Sequence, residues 1–451
     1  AMRGMKAEGG WGVVCTEECE IHPNSDLSGI PLMRLWDDSD LPTHELMVQK
    51  VQAHGSLAGI QLVQNGISAP NRLSRISPLA PSPNMIKDLD PIQCRAMSKD
   101  DIADVRRWHR DAVMRAKKAG YDIVYVYAGH TMTLLTHFLS SHYNHRTDEY
   151  GGSLENRARL FREILEETME VANNEIAVAV RYAVHDADGD DELRFDEEGR
   201  AVVKMLANVP DLWDVNVTPW ESDSMPSRFG EEGGQEPFIS FVKSVTDKPV
   251  VGVGRYTSPD RMAGLIKKGI LDFIGAARPS IADPFLPTKI NEGRGDEIRE
   301  CIGCNMCITA DFFGVPLRCT QNPTMGEEWR KGWHPERIDR AGSQDKVLVV
   351  GGGAAGLEAA LALGKRGYEV ILAEADDTLG GRVLHESKLP GLSEWRRVID
   401  HRTYMLSQMP NVQTYVESPL SADDILEYGF EHVAMATGAA WRIDGVGRTN
   451  R

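Results

Sequence analysis

Short apolar, β-rich bursts alternate with longer amphipathic stretches through the first 300 residues, and this rhythm limits the fold more than any other feature. The bursts are Gly12–Cys15 running to Ile21, Ala58–Val63, Asp122–Tyr127, Ile176–Ala183, Leu212–Val217, Pro249–Gly254 and Asp272–Ala276. Stretches such as Ser98–Ala119 carry apolar residues at helical spacing, with Gly120 as a stop. Strand–helix alternation at this spacing implies parallel βαβ units. An open doubly wound sheet gathers its chemistry at one switch point, whereas a barrel gathers it from many strand ends. Here Glu17, Glu18, Gln61, Tyr127, His130, Arg181, Trp220, Asp223 and Arg255 fall at or just past the ends of different bursts. The expectation is an α/β chain led by a (β/α)8 TIM barrel. Seven of its strands are in the sequence, and the first strand precedes residue 1.

From Arg299 to about Arg340 the chain is irregular and rich in Cys, Gly, Pro and Trp. A second rhythm then begins, with a strand over Lys346–Val350, a turn over Gly351–Gly356, a helix over Leu357–Arg366 and a strand over Glu369–Glu374. Residues 433–438 read as a later strand and its turn. The expected domains are a barrel over 1–296, a cysteine segment over 297–342 and a partial Rossmann-like domain over 343–451. Both ends read as cut.

Cys301, Cys304, Cys307 and Cys319 form C-x2-C-x2-C-x11-C. Three thiolates two residues apart wrap one face of a cubane, and the fourth arrives from a distance, so a [4Fe–4S] cluster is expected. Four thiolates also suit tetrahedral zinc, although zinc ribbons usually show two separated C-x2-C pairs. Cys15, Cys19 and Cys94 lack such spacing and read as core residues. Seven cysteines, an odd number, argue against a disulfide framework and for a reducing compartment, the cytoplasm.

Gly351-Gly-Gly353-Ala-Ala-Gly356 follows an apolar strand and opens a helix, the context that G-x-G-x-x-G requires. Its glycines let the backbone reach a pyrophosphate, and Glu374 at the end of the next strand can accept a ribose hydroxyl. FAD, NAD(P) and bare ADP all fit this pattern. Gly252-Val-Gly254-Arg255 and Gly275-Ala-Ala277-Arg278 follow the last two barrel strands, where barrels commonly hold phosphate.

A net charge of −17 argues against nucleic acid and anionic lipid as partners and favours cationic substrates. No run of about 18 or more apolar residues suggests a membrane span. Ala1–Gly10 lacks the features of a signal peptide.

The stretch Asn144-His-Arg-Thr-Asp-Glu-Tyr-Gly-Gly-Ser-Leu-Glu-Asn-Arg157 resembles the Old Yellow Enzyme superfamily. Ala277-Arg-Pro-Ser-Ile-Ala-Asp-Pro-Phe, Cys301-Ile-Gly-Cys-Asn-Met-Cys and Cys319-Thr-Gln-Asn-Pro-Thr resemble its iron–sulfur branch, above all the trimethylamine, dimethylamine and histamine dehydrogenases. The resemblance implies an FMN barrel, a [4Fe–4S] cluster, ADP or FAD in the C-terminal domain, an electron-transferring flavoprotein as acceptor and a homodimer. It places Gln61 and Arg181 at the flavin ring, and Gly254, Arg255, Ala277 and Arg278 at the FMN phosphate. Tyr127, His130 and Asp223 match the catalytic triad, with the aspartate orienting the imidazole and the imidazole polarising the phenol. Trp220 matches one wall of an aromatic bowl that holds an alkylammonium. The family's covalent flavin link uses a cysteine on the first strand, a segment this sequence does not include.

Where trimethylamine dehydrogenase has its other two bowl aromatics, this chain has Glu18 and Asp311, with Phe312 as the alternative to the latter. The histamine dehydrogenases are similar in carrying an acid at the Asp311 position. Two acids in place of rings disfavour trimethylamine and favour primary or secondary amines and diamines. The rival reading is an NADPH-dependent 2,4-dienoyl-CoA or enoate reductase. Those relatives carry a tyrosine donor where Met132 stands, and a histidine where Tyr127 stands. A third reading is an electron-transfer or scaffold subunit without catalysis, against which Tyr127, His130, Asp223 and Trp220 stand together.

Overall fold

The computed structural model describes residues 1–27, 32–86, 91–186, 193–219, 230–309, 315–440 and 442–445. Trp220, Asp223, Asp311 and Phe312 lie outside the described residues.

Each burst forms a strand. These are β1 (Val13–Glu20), β2 (Leu57–Val63), β3 (Ile123–Ala128), β4 (Ala177–Asp186), β5 (Leu212–Thr218), β6 (Val250–Gly252) and β7 (Phe273–Ile274). They pair in parallel and in chain order, with β1 and β7 at the edges. Every residue of β3 is buried, as expected when both faces of a parallel sheet are covered.

Helix α1 (Met2–Glu8) precedes β1, and the crossovers carry helices, among them α2 (Leu41–Gln52), α3 (Lys99–Lys118), α4 (Arg159–Ala172) and α5 (Glu198–Leu206). Helix α3 starts where its chemistry dictates. Ser98 and Asp101 form a reciprocal capping box, satisfying two of the otherwise unpaired groups of the first turn. Its buried face, Ile102, Val105, His109, Ala112, Val113 and Ala116, lies against the barrel core and α4.

Contacts between the two edges show that the sheet curls. A flat sheet of this width would separate β1 from β7 by about 29 Å, at about 4.8 Å per strand. Instead Trp11 Nε1 donates to the Pro284 carbonyl at 3.0 Å, and Thr288 N and Oγ1 donate to the Gly9 carbonyl at 3.2 and 2.9 Å. Gly9 has no room for a side chain, because a Cβ there would sit 1.9 Å from the Pro284 oxygen. The parallel strands therefore form an α/β barrel wall, as expected.

After β7 come α6 (Arg278–Ala282) and the cysteine segment, in which no helix or strand is found among the described residues 298–309 and 315–345. The Rossmann-like region follows, with β8 (Lys346–Val350), α7 (Ala354–Arg366), β9 (Glu369–Ala373), α8 (Arg397–Ser407), β10 (Val412–Tyr415) and β11 (His432–Met435). Its parallel sheet runs β10-β9-β8-β11. Helix α7 begins at Ala354, ahead of the expected Leu357, because the glycine turn itself supplies its cap at Gly353. No helix of the described residues is long and apolar enough to cross a membrane.

Two buried histidines make the fold acid-sensitive. Burial holds His109 down at about 4, and burial, with Arg299 and Arg402 nearby, holds His401 down at about 3. An unfolded histidine titrates near about 6.5, so the unfolded chain binds more protons in between. The contribution of these two histidines is therefore fully present above pH about 6.5 and falls as the pH drops toward 4. Thermal unfolding between pH 8 and 5 is expected to show this slope, and His109→Gln is expected to flatten it.

Candidate functional site

The strand ends converge on one cavity of about 500 Å³. Glu18 on β1 pairs in register with Gln61 on β2, and both line it. Tyr127 at the end of β3 pairs in register with Arg181 on β4. Arg181 Nη1 donates to Gln61 Oε1 at 3.3 Å, and its guanidinium carbon lies 5.9 Å from the Tyr127 ring centre. Gly254 and Arg255 follow β6, Ala277 and Arg278 follow β7, and all four line the same space. Met132 and Gln235 line it too.

Tyr127 and His130 form a buried pair. Tyr127 Oη is hydrogen-bonded to His130 Nδ1, and His130 Nε2 lies 2.6 Å from Asn216 Nδ2 on β5. His130 (φ 59°) and Thr131 (φ 50°) are consecutive non-glycine residues in the left-handed region. Such conformations cost about 1–3 kcal/mol each and persist where surrounding contacts over-determine them. The sequence reading assigned the orienting role to Asp223, which lies outside the described residues. Asn216, a polar residue inside an apolar burst, was the available signal for the partner the structure shows.

The basic end of the cavity meets the C-terminal region. Arg255 is ion-paired with Glu394 and donates to the Gly230 carbonyl at 2.8 Å. Arg397 of α8 donates to the Cys301 carbonyl at 3.1 Å and pairs with Glu300 at 3.1 Å. Glu394 and Arg397 were invisible to sequence reasoning, since only the tertiary fold brings residues some 140 positions apart together.

All four cysteines line a second, smaller cavity, and Arg278, Ile281 and Cys307 line both cavities. Arg278 Nη1 donates to Asn305 Oδ1 at 2.8 Å, tying the phosphate end of the barrel to the cysteine loop. Among the described residues no three His, Cys, Asp or Glu side chains converge on one metal position. Four thiols around one cavity suit a [4Fe–4S] cluster or a tetrahedral zinc ion. Burial pushes the Cys307 thiol up to about 12 and that of Cys319 to about 11, so without metal these groups are neutral. Cys19 and Cys94 are core residues as expected, while Cys15 is partly buried.

The three motif glycines divide their work. Gly351 has φ 104°, and a Cβ there would sit 2.4 Å from the Ala436 oxygen. A Cβ on Gly356 would sit 1.8 Å from the Gly351 oxygen, whereas one on Gly353 would meet nothing within 4 Å. The open side at Gly353, where α7 begins without a side-chain cap, suits a pyrophosphate. Buried Glu374 accepts from Gly352 N at 2.5 Å and Asp376 N at 2.9 Å. Beside it lies a cavity of about 700 Å³ lined by Asp376, Asp377, Glu417, His385, Lys388 and Arg396.

Residues 1–297 match the NADH:flavin oxidoreductase / NADH oxidase family model, and residues 349–418 match an NAD(P)-binding Rossmann-like domain. The chain belongs to the NADH:flavin oxidoreductase / NADH oxidase family. As a member of this family, within the Old Yellow Enzyme superfamily, it is 43% identical over 461 residues to dimethylamine dehydrogenase of Hyphomicrobium sp. (strain x). That match covers 99% of this chain and 62% of the relative, so the chain spans less than two thirds of that protein. Among solved structures, histamine dehydrogenase from Rhizobium sp. 4-9 is 54% identical, with a TM-score of 0.96, and the match covers 99% of this chain and 65% of that one. The 6-hydroxypseudooxynicotine amine oxidase from Pseudomonas geniculata N1 is 53% identical with a TM-score of 0.98, and the match covers 99% of this chain and 67% of that one. The family and the Rossmann-like region thus make this a flavoprotein with a dinucleotide fold.

The glycine geometry separates two variants of this flavoprotein. Gly356→Ala is expected to lower thermal stability and nucleotide content together. Gly353→Ala should leave unfolding unchanged while reducing the nucleotide released by acid, measured by chromatography.

Proposed function

We propose that this chain carries the redox centres of an amine dehydrogenase, oxidising a small amine at the carbon bonded to nitrogen. The observation that carries the reading is the single wall of Arg278, Ile281 and Cys307 between the Tyr127–His130 cavity and the four cysteines. It provides a short electron exit beside a proton-handling pair. Relatives at 43–54% identity that act on amines support the substrate class.

FMN occupies the barrel mouth in this reading, with Gln61 and Arg181 at its ring and Gly254, Arg255, Ala277 and Arg278 at its phosphate. When bound, it supplies the acceptor for the hydride equivalent that leaves the amine. A [4Fe–4S] cluster held by Cys301, Cys304, Cys307 and Cys319 supplies a one-electron exit when bound. Gly351, Gly353, Gly356 and Glu374 hold ADP or FAD.

Glu18 draws the ammonium group into the cavity, and Trp220 and Asp311 complete its seat. Tyr127, paired with His130, takes the ammonium proton so that the nitrogen lone pair is free when the carbon is oxidised. Asp223 belongs to the same proton-handling set. The iminium product is hydrolysed to an aldehyde and a smaller amine or ammonia. The acceptor is an electron-transferring flavoprotein, the assembly a homodimer and the compartment the cytoplasm.

Met132 weighs against the reductase alternative, because it lines the cavity and has no proton to donate.

Anaerobic mixing of the purified holoenzyme with histamine, putrescine, dimethylamine, trimethylamine and, separately, NADPH tests the reading. Rapid loss of flavin absorbance with a primary, secondary or diamine, and none with NADPH, is expected. Bleaching by NADPH alone would overturn it. Glu18→Gln should raise KM for the preferred amine about tenfold, about 1.4 kcal/mol, with kcat nearly unchanged. Elemental analysis should find about four iron and four acid-labile sulfide per chain, lost in Cys319→Ser; about one zinc per chain would contradict the cluster.

A further inference from the structure

A buried polar contact lies behind the Tyr127–His130 pair. Asn216 sits on β5, is 0% exposed, and places its carboxamide 2.6 Å from His130 Nε2. On the opposite side of the same ring, Nδ1 is hydrogen-bonded to Tyr127 Oη. We propose that Asn216 is a positioning residue that fixes His130 as an uncharged hydrogen-bond donor to the Tyr127 oxygen.

An amide N–H donated to Nε2 requires a lone pair there, which leaves the ring proton on Nδ1, facing Tyr127. The imidazole is thus held at both nitrogens by residues from two different strands, β3 and β5. Its backbone is held as well, at φ 59° with Thr131 at φ 50°. A neutral Nδ1–H donor stabilises the phenolate of Tyr127 over the phenol, because the anion is the stronger acceptor. His130 thus keeps Tyr127 in the ionised form that can accept a proton, without itself carrying charge. Carboxamide chemistry matters here. A carboxylate at the same place only accepts, so it would draw the ring proton to Nε2 and turn Nδ1 into an acceptor of the phenol proton. Arg181 from β4 and Glu18 from β1 also face this part of the cavity, with opposite charges. Both remain in the variants below, as does Asp223 of the proposed proton-handling set, so a difference isolates Asn216.

The role of Tyr127 as proton acceptor rests on the amine reading, but its ionisation does not, and the test separates the two. The holoenzyme, labelled with 13C at the tyrosine Cζ, is titrated by NMR, with Tyr127→Phe assigning the resonance. In the isosteric Asn216→Asp and in Asn216→Leu, Tyr127 is expected to ionise about one pH unit or more higher than in the parent. Amine-driven flavin reduction should fall about tenfold or more, with the ascending, low-pH limb of its profile shifted to higher pH and KM changed far less. An unchanged or lowered Tyr127 titration in Asn216→Asp, with FMN and iron content intact, would overturn the proposal. It would mean that the amide oxygen, not the N–H, faces the ring. If no amine reduces the parent flavin, the amine reading fails, while the titration still decides on Asn216.

Discussion

Arg278 stands between two cavities, and its position depends on how soon the chain turns after the last barrel strand. β7 ends at Ile274, α6 starts at Arg278, and Cys301 follows 23 residues after Arg278. The guanidinium is tied to Asn305 in the cysteine loop, while the same residue lines the barrel mouth. The two sites therefore cannot drift apart without breaking this contact. A buried network behind them adds rigidity. Lys289 pairs with Asp283 at 2.8 Å and Glu336 at 3.1 Å, and Arg299 pairs with Glu336 at 3.0 Å. Removing one partner of such a set costs about 3–5 kcal/mol, since it strands a charge away from water. Glu394 and Arg397 then clasp the Rossmann-like region onto the same corner, one through Arg255 and the other through the Cys301 carbonyl.

The barrel mouth follows from this frame. Parallel strands point their C-terminal ends the same way, so groups from β1 to β7 meet without local sequence contact. Register sets which of them face each other: Glu18 beside Gln61, and Tyr127 beside Arg181. Helical crossovers hold the outer face, leaving the strained turn at His130 and Thr131 to be fixed by buried partners such as Asn216. Stability and chemistry thus share the same hydrogen bonds at the end of β3.

Much of this was legible from residue order because the physics involved is local. Strands covered on both faces read as near-continuous apolar runs, which is why Asp122–Tyr127 marked β3 almost residue for residue. The glycine turn declares itself through steric limits at Gly351 and Gly356. The cysteine spacing likewise anticipated four thiols around one space. What stayed hidden is long-range or weakly patterned. Only Val412 of β10 is buried, so its apolar signal is slight. Helix α8 and Glu394 matter through contacts with the barrel that no spacing reveals. Asn216 reaches His130 across 86 positions, so only the sheet shows the pairing. Trp220, Asp223 and Asp311 rest on resemblance alone.

Anomalous diffraction at the iron edge from crystals of the holoenzyme tests most directly whether the proposed flavin and cluster sites share one wall. One iron-rich peak enclosed by Cys301, Cys304, Cys307 and Cys319 is expected, with flavin density in the barrel mouth separated from it only by Cys307, Ile281 and Arg278. A peak at the zinc edge in the cysteine cavity, or flavin bound away from the mouth, would contradict it.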